Sequence, residues 1–391
     1  MTITLRHGDA IQQLERLPAE SVSCCITSPP YYGLRDYGVK GQLGMEATPE
    51  IYAQRLGSIF DQVKRVLRPW GTAWLNLGDS YASSGGHTNV EEGQAVAGRA
   101  NREDRHKAGR RKGIQGYKQK DLIGIPWMVA FELRRRGWYL RSDIIWAKPN
   151  PMPESVADRP TRAHEYLFLL SKQERYFYDG EAVKEPTVNP NDLGRESRIR
   201  GEFGGKTANI AGREAFRFIT PTRNIRSVWQ ITTKPYGEAH FATFPVELPM
   251  TCIKAGTSEK GECLKCGMPW HRVMGKMEAP PKGFKGNGNK RRVLGHERGR
   301  PGSELGTGFP WDGSARRTLG WEASCRCQPD LSNPVLGPAR ALVLDPFNGA
   351  GTTGLAAYAL GRDYLGIDLN KNYLEMTRRR IKRHFYDGGR L

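Results

Sequence analysis

Between Pro49 and Leu67 the apolar residues fall at helical spacing: Ile51, Leu56, Ile59, Phe60, Val63, Val66 and Leu67 share one face. That pattern predicts an amphipathic helix packed on a core. Ala10 to Leu17 and Ile125 to Arg136 read the same way, the second with Pro126 near its start and Gly137 as its stop. Short apolar runs lie between and beyond these helices: Ile3 to Leu5, Ser21 to Ile26, Gly71 to Leu77, Trp138 to Trp146, Arg162 to Leu170, Ala341 to Asp345 and Asp363 to Asp368. Each has the length and composition of a strand. Strands alternating with helices predict an α/β fold.

Two strand ends carry chemistry. The run ending at Ile26 leads into Thr27-Ser28-Pro29-Pro30-Tyr31-Tyr32-Gly33. Successive prolines hold the chain extended and donate no backbone hydrogen bond, so their carbonyls can face outward beside aromatic rings. Such an array can hold a planar group that carries an NH2. The run ending at Asp345 leads into Pro346-Phe347-Asn348-Gly349-Ala350-Gly351-Thr352-Thr353-Gly354, then a helix from Leu355 to Leu360, then the strand ending at Asp368. This is one βαβ unit. Its Gly-x-Gly turn lets a ligand approach the backbone, and Asp368 can accept from ribose hydroxyls.

Together these stretches resemble the amino-methylating DNA methyltransferases that use S-adenosylmethionine. DPFNGAGTT is similar to their cofactor loop (DPFxGxGT) and TSPPY to their catalytic motif. The cofactor half lies C-terminal to the catalytic half, which resembles the β-class permutation and implies a permuted Rossmann-like sheet with helices on both faces. The resemblance covers about residues 1–81, 121–180, 236–255 and 340–380. It implies that Asp345, Pro346, Phe347, Gly349, Gly351 and Thr352 hold the methionine portion, with help from Phe244 and Pro245. It places Asp9 at the adenine, although Asp9 also reads as a helix N-cap. It assigns catalysis to Ser28, Pro29, Pro30 and Tyr31: the Ser28 hydroxyl and the Pro29 carbonyl grip an exocyclic amino group, and Tyr31 stacks on a base flipped from double-stranded DNA. The Gly78-Asp79-Ser80 loop and the loop from Lys148 to Ser155 would border that base, Asp79 reading equally as a turn residue. His164 and Glu165 read as structural. Serine at the first catalytic position favours cytosine N4 as the target, with adenine N6 as the alternative. A protein that binds DNA without catalysis, and an RNA or protein-glutamine methyltransferase, are disfavoured by the intact cofactor loop and by Ser28.

Composition adds a partner. The 60 Lys and Arg against 41 Asp and Glu leave a net charge of +19, which suits a polyanion. Arg99 to Lys120 alone holds nine basic residues and two acids. Residues 82–120 therefore read as a mobile basic loop that closes on DNA, with Arg35 as a further phosphate contact. Residues 181–235 carry Arg195, Arg198, Arg200, Arg213, Arg217, Arg223 and Arg226, where the resemblance implies target recognition. The domain boundaries expected are 1–180 for the catalytic half, 181–235 for recognition, 236–255 for a cofactor-site element, 256–335 for a cysteine-containing insertion and 336–391 for the cofactor half.

In that insertion Cys263-x-x-Cys266 and Cys325-x-Cys327 can complete a four-thiolate structural zinc site, with His271 as a substitute ligand. Four protein ligands would leave no open position for catalysis. Cys24, Cys25 and Cys252 read as buried apolar residues, and none stands in the Pro-Cys context of a covalent cytosine-C5 mechanism. No run is long and apolar enough to span a bilayer, and the first residues show no signal pattern. The expectation is a cytoplasmic bacterial or phage enzyme, with a cognate restriction endonuclease as a candidate partner.

Overall fold

A computed structural model of the chain describes residues 1–34, 38–39, 41–82, 114, 116–186, 222–233, 243–276, 316–327 and 338–386. The first elements are β1 (Ile3–His7), α1 (Ala10–Glu15), β2 (Val22–Thr27), α2 (Pro49–Val66), β3 (Leu67–Leu77), α3 (Ile125–Arg135), β4 (Tyr139–Ala147) and β5 (His164–Ser171). The short strands β6 (Glu185–Pro186), β7 (Thr222–Arg223) and β8 (Val228–Gln230) follow, then α4 (Glu247–Gly256), β9 (Trp270–Lys276) and β10 (Arg316–Ala323). Last come β11 (Leu342–Asp345), α5 (Thr352–Ala359), β12 (Asp363–Asp368) and α6 (Lys371–Tyr386).

Among the described residues, eight strands form one sheet in the order β1-β12-β11-β2-β3-β5-β4-β8. β1 runs parallel to β12, with Ile3 opposite Tyr364 and His7 opposite Asp368. The first strand of the chain thus extends the sheet from its last strand, as a permuted order requires. From β1 across to β3 the neighbours are parallel, and β5 is antiparallel to both β3 and β4. All six residues of β2 are buried, which is possible only when helices cover both faces. Cys25, Ala73, Leu75 and Leu344 join the core formed with α1, α2 and α3. Cys24, Thr72 and Trp74 point the other way and meet Gly256 of α4.

The sequence dictates α2 locally. The Thr48 side chain accepts from Ile51 N, Pro49 sits in the first turn, Glu50 lies near the positive end, and Lys64 and Arg65 near the negative end. Tyr52, Leu56, Phe60 and Val63 are its buried face. α2 passes straight into β3 at Leu67, four residues before the expected strand start at Gly71, because Arg68-Pro69 masks the apolar pattern there. β8 lies in a stretch that reads as irregular; its three residues are too few to show periodicity, and pairing to β4 defines it.

The chain divides into two compact units. One comprises Met1–Ala182, Arg226–Trp270 and Ala323–Leu391, and contains the eight-stranded sheet; the other comprises Val183–Ile225 and His271–Glu322. In the second, β6 pairs with β7, and Arg223 binds Glu185 at 2.8 Å. β9 and β10 form a separate two-stranded ribbon. No helix among the described residues is long and apolar enough to cross a membrane.

Candidate functional site

Four neighbouring parallel strands, β1, β12, β11 and β2, end at one edge of the sheet and present Asp9, Asp368, Asp345 and Ser28 in that order. With strands about 4.8 Å apart, this row spans about 14 Å. Chain connections lead away to opposite sides from β11 and β2, so the crevice at their ends is a topological switch point, where open α/β sheets hold ligands.

The glycine-rich turn occupies that crevice. Gly351 has φ +73° and a Cβ there would sit 2.4 Å from Thr377, so the position admits no side chain. The turn is anchored by Asn348, which donates to Thr377 Oγ1 at 2.8 Å and accepts from Tyr364 Oη at 2.8 Å. The amino end of α5 carries no side-chain cap, which leaves its first amides for a ligand. Asp368 accepts from Gly349 N at 2.7 Å through one oxygen and from Asn370 N at 2.8 Å through the other. Burial pushes its carboxyl up to about 6, against these donors and the nearby His7.

Asp345, expected at the methionine portion, ends β11 directly before the turn. Its carboxylate is buried and accepts from Thr27 Oγ1 at 2.6 Å, Thr353 Oγ1 at 2.7 Å and Phe347 N at 3.1 Å. It therefore straps β2 to β11 and fixes the turn from beneath; burial pushes it, too, up to about 6. The Thr352 hydroxyl accepts from Arg380 at 2.8 Å. Asp9 caps α1 by accepting from Gln12 N at 3.1 Å and also lies beside Asp368, since Gly8 N donates to Asp368 O at 3.0 Å. Pro346 and Phe347 lie in the turn. Phe244 and the buried Pro245 immediately precede α4, which packs on α5.

At the end of β2, Ser28 donates to Tyr31 Oη at 3.2 Å, and Tyr31 Oη donates to Glu165 Oε2 at 2.6 Å. Asn76 Nδ2 donates to Tyr31 Oη at 2.8 Å and to Glu165 Oε2 at 2.6 Å. The Lys148 ammonium binds the other Glu165 oxygen and lies 4.6 Å from the centre of the Trp146 ring. Burial raises the Tyr31 hydroxyl well above its ordinary value, and Glu165 raises it further. The Tyr31 ring presses on Gly78, where a Cβ would fall 2.6 Å from it. The Pro30 carbonyl accepts from Tyr52 Oη at 3.0 Å, which pins the double proline to α2.

Asn76 was not singled out in the sequence; Lys148 was expected only as the start of a loop bordering the base, and Glu165 as structural. A lone amide inside the apolar run from Thr72 to Leu77 was the available signal for Asn76. Asp79 accepts from Ser80 N, Gly124 N and Ile125 N at 2.8–3.1 Å and so caps α3 from a distance. Gly124 itself, at φ +82°, supplies no cap. Asp79→Ala is expected to lower stability by about 1–2 kcal/mol, the range for a lost cap, measured by urea unfolding.

The Sγ atoms of Cys263, Cys266, Cys325 and Cys327 all lie within 4.8 Å of one another, without His271. A tetrahedral zinc–thiolate centre, with Zn–S of about 2.3 Å, has S···S edges of about 3.8 Å, so the four thiols can hold such an ion with small adjustments. Burial raises the Cys263 thiol, but backbone N–H groups of Cys266 and Lys265 together with the Cys325 and Cys266 thiols outweigh it and leave it at about 7. Cys24, Cys25 and Cys252 are buried, and burial pushes the Cys24 thiol up to about 12. Arg35, most of the basic 82–120 loop, and Arg195, Arg198, Arg200, Arg213 and Arg217 lie outside the described residues.

Residues 22–264 and 331–379 match the N6/N4 DNA methylase family. The chain is similar to the Type II methyltransferase M.Cfr9I of Citrobacter freundii, at 36% identity over 380 residues that cover 97% of this chain and 87% of that protein. It is similar to the Type II methyltransferase M.SmaI of Serratia marcescens at 35% identity over 376 residues, covering 96% and 89% respectively. Its fold is similar to that of the PvuII DNA methyltransferase (cytosine-N4-specific), with a TM-score of 0.51, 16% identity, and coverage of 97% of this chain and 86% of that one.

Proposed function

The chain belongs to the N6/N4 amino-methylating DNA methylases, and on that premise we propose that it transfers a methyl group from S-adenosylmethionine to the exocyclic N4 of a flipped-out cytosine in duplex DNA. The observation that supports the target is the serine at the first catalytic position, Ser28, whose hydroxyl donates to Tyr31 Oη at 3.2 Å. M.Cfr9I and M.SmaI are Type II methyltransferases, which supports a site-specific modification role beside a restriction endonuclease in a bacterial or phage cytoplasm.

The crevice fits the cofactor. An uncapped helix end, a turn that tolerates no side chain at Gly351 and a half-buried carboxylate lie together at the ends of these strands. The glycine turn, with Phe244 and Pro245, would hold its methionine portion, Asp368 its ribose and Asp9 its adenine. The sulfonium supplies an electrophilic methyl group, so no metal is needed for transfer.

The protein's task is to make an amino nitrogen nucleophilic. That nitrogen is poor because its lone pair is delocalised into the ring. Ser28 donates a hydrogen bond to Tyr31, and Tyr31 donates one to Glu165, each keeping its proton, so a lone pair of the Ser28 oxygen is left to accept from the base. With the Pro29 carbonyl it can grip the amino hydrogens and stabilise the positive charge that develops on nitrogen. Asn76 and Lys148 hold the Glu165 carboxylate in register. Tyr31 thus orients the Ser28 hydroxyl as well as offering a stacking surface.

Incubation with labelled cofactor and duplex DNA, then nucleoside mass spectrometry, tests the reading. N4-methylcytosine is expected; N6-methyladenine would retain the mechanism and overturn the base assignment. A pH series gives a second check. Ribose hydroxyls donate to the ionised Asp368, whose carboxyl titrates at about 6. Cofactor affinity should therefore fall as pH is lowered through about 6 and level off above about 7, with Asp368→Asn abolishing the dependence in calorimetry. Fold stability should run the opposite way, because raised Asp345 and Asp368 carboxyls favour the folded state at low pH and lose that contribution as pH rises through about 6.

A further inference from the structure

Three cysteines of the cluster, Cys266, Cys325 and Cys327, fall outside the residues that match the methylase family, so the family's shared chemistry does not account for it. We propose that Cys263, Cys266, Cys325 and Cys327 bind one zinc ion, and that this ion clamps the segment feeding β11 and hence the turn that follows it.

The thiols are already gathered by backbone design. Gly267 N donates to Cys263 O and Cys263 N donates to Met268 O, each at 2.8 Å, which folds the first pair into a tight knuckle. The Ser324 hydroxyl donates to the Pro269 carbonyl and brings the second pair alongside. Residues 267–324 separate the two pairs in sequence, so a metal joining them closes a long loop. Four thiolates fill a tetrahedral shell and leave no position for a substrate, which makes the ion structural.

What the ion would hold is visible next door. Glu262, adjacent to Cys263, makes a reciprocal antiparallel bridge with Ala339: each N–H donates to the other's carbonyl at 2.8 Å. Approach is so close at this bridge that a Cβ on Gly261 would lie 2.4 Å from Ala339 O. Leu342, three residues on, begins β11, and Asp345 ends it. On its other side Glu262, 1% exposed, sits 3.3 Å from Arg68 Nε at the start of β3. The knuckle is therefore fastened both to the sheet and to the chain entering β11, and the ion would fix its geometry.

The purified full-length chain should contain one zinc per molecule by elemental analysis, and cobalt exchange should give the intense visible bands of tetrahedral thiolate coordination. Removing the ion with a chelator should speed amide hydrogen exchange in residues 338–345 by about tenfold or more, while amides of β3 and β5 keep their protection. Cys325→Ser with Cys327→Ser should match the chelated protein. Ala339→Pro deletes the N–H given to Glu262; it should keep zinc yet loosen 338–345. Should the double variant not fold, chelation of the native chain decides alone. A folded chain that binds no zinc, with all four thiols reacting as free cysteines, overturns the centre. Unchanged protection of 338–345 on zinc release overturns the clamp. Neither readout involves the cofactor or DNA, so both stand apart from the proposed methyl transfer.

Discussion

Ser28→Ala is expected to lower kcat by about 10²–10³-fold, the usual loss when one electrostatic contact to a developing charge is removed. Cofactor affinity should stay within about twofold of the native value, because the contact forms with the reacting amino group and not with the cofactor. The substitution removes only one oxygen, and that oxygen binds Tyr31 at 3.2 Å, a long hydrogen bond whose loss leaves Tyr31 still held by Glu165 and Asn76. Single-turnover methylation with saturating cofactor, paired with calorimetric cofactor binding, separates the two quantities. Equal losses in both would mean that Ser28 shapes the cofactor site and does not act on the base.

Asp368→Ala should give the complementary result. The carboxylate braces the glycine turn through Gly349 N and would accept from ribose as a charged group. Charge-assisted hydrogen bonds contribute about 1.5–3 kcal/mol each, so cofactor Kd should rise about 10- to 150-fold. Turnover at saturating cofactor should change much less. An unchanged Kd would remove Asp368 from the cofactor site and leave it as a brace for the turn.

The two motifs that organise the chain were legible because each is local. The glycine turn and the double proline announce themselves in a few consecutive residues, and the helices around them follow from spacing and punctuation. The partners of Ser28 were harder to find. Tyr31 stands three residues away, but Glu165 and Asn76 arrive on β5 and β3, and only strand pairing sets Asn76 opposite Leu167, near Glu165. Lys148 enters from the end of β4. Asp79 was ambiguous for the same reason: a carboxylate in a turn can serve any helix that comes within reach, and α3 begins 46 residues later. Asp345 shows the converse limit. Its motif was evident, yet the inward turn of its carboxylate depends on Thr27 and Thr353, which only the assembled sheet brings together.

The neighbourhood of β1 and β12 carries a consequence for how the chain is made. β1 is synthesised long before its neighbour, which comes 361 residues later, as the Thr2 N to Asp363 contact records. At roughly 5–20 residues per second, β1 waits about 20–70 s on the ribosome for its partner. β2 also waits for β11, so the catalytic strand has one open edge throughout that interval. The nascent protein can therefore assemble β2, β3, β5 and their helices early, but it cannot close its cofactor crevice until β11 and β12 have been made.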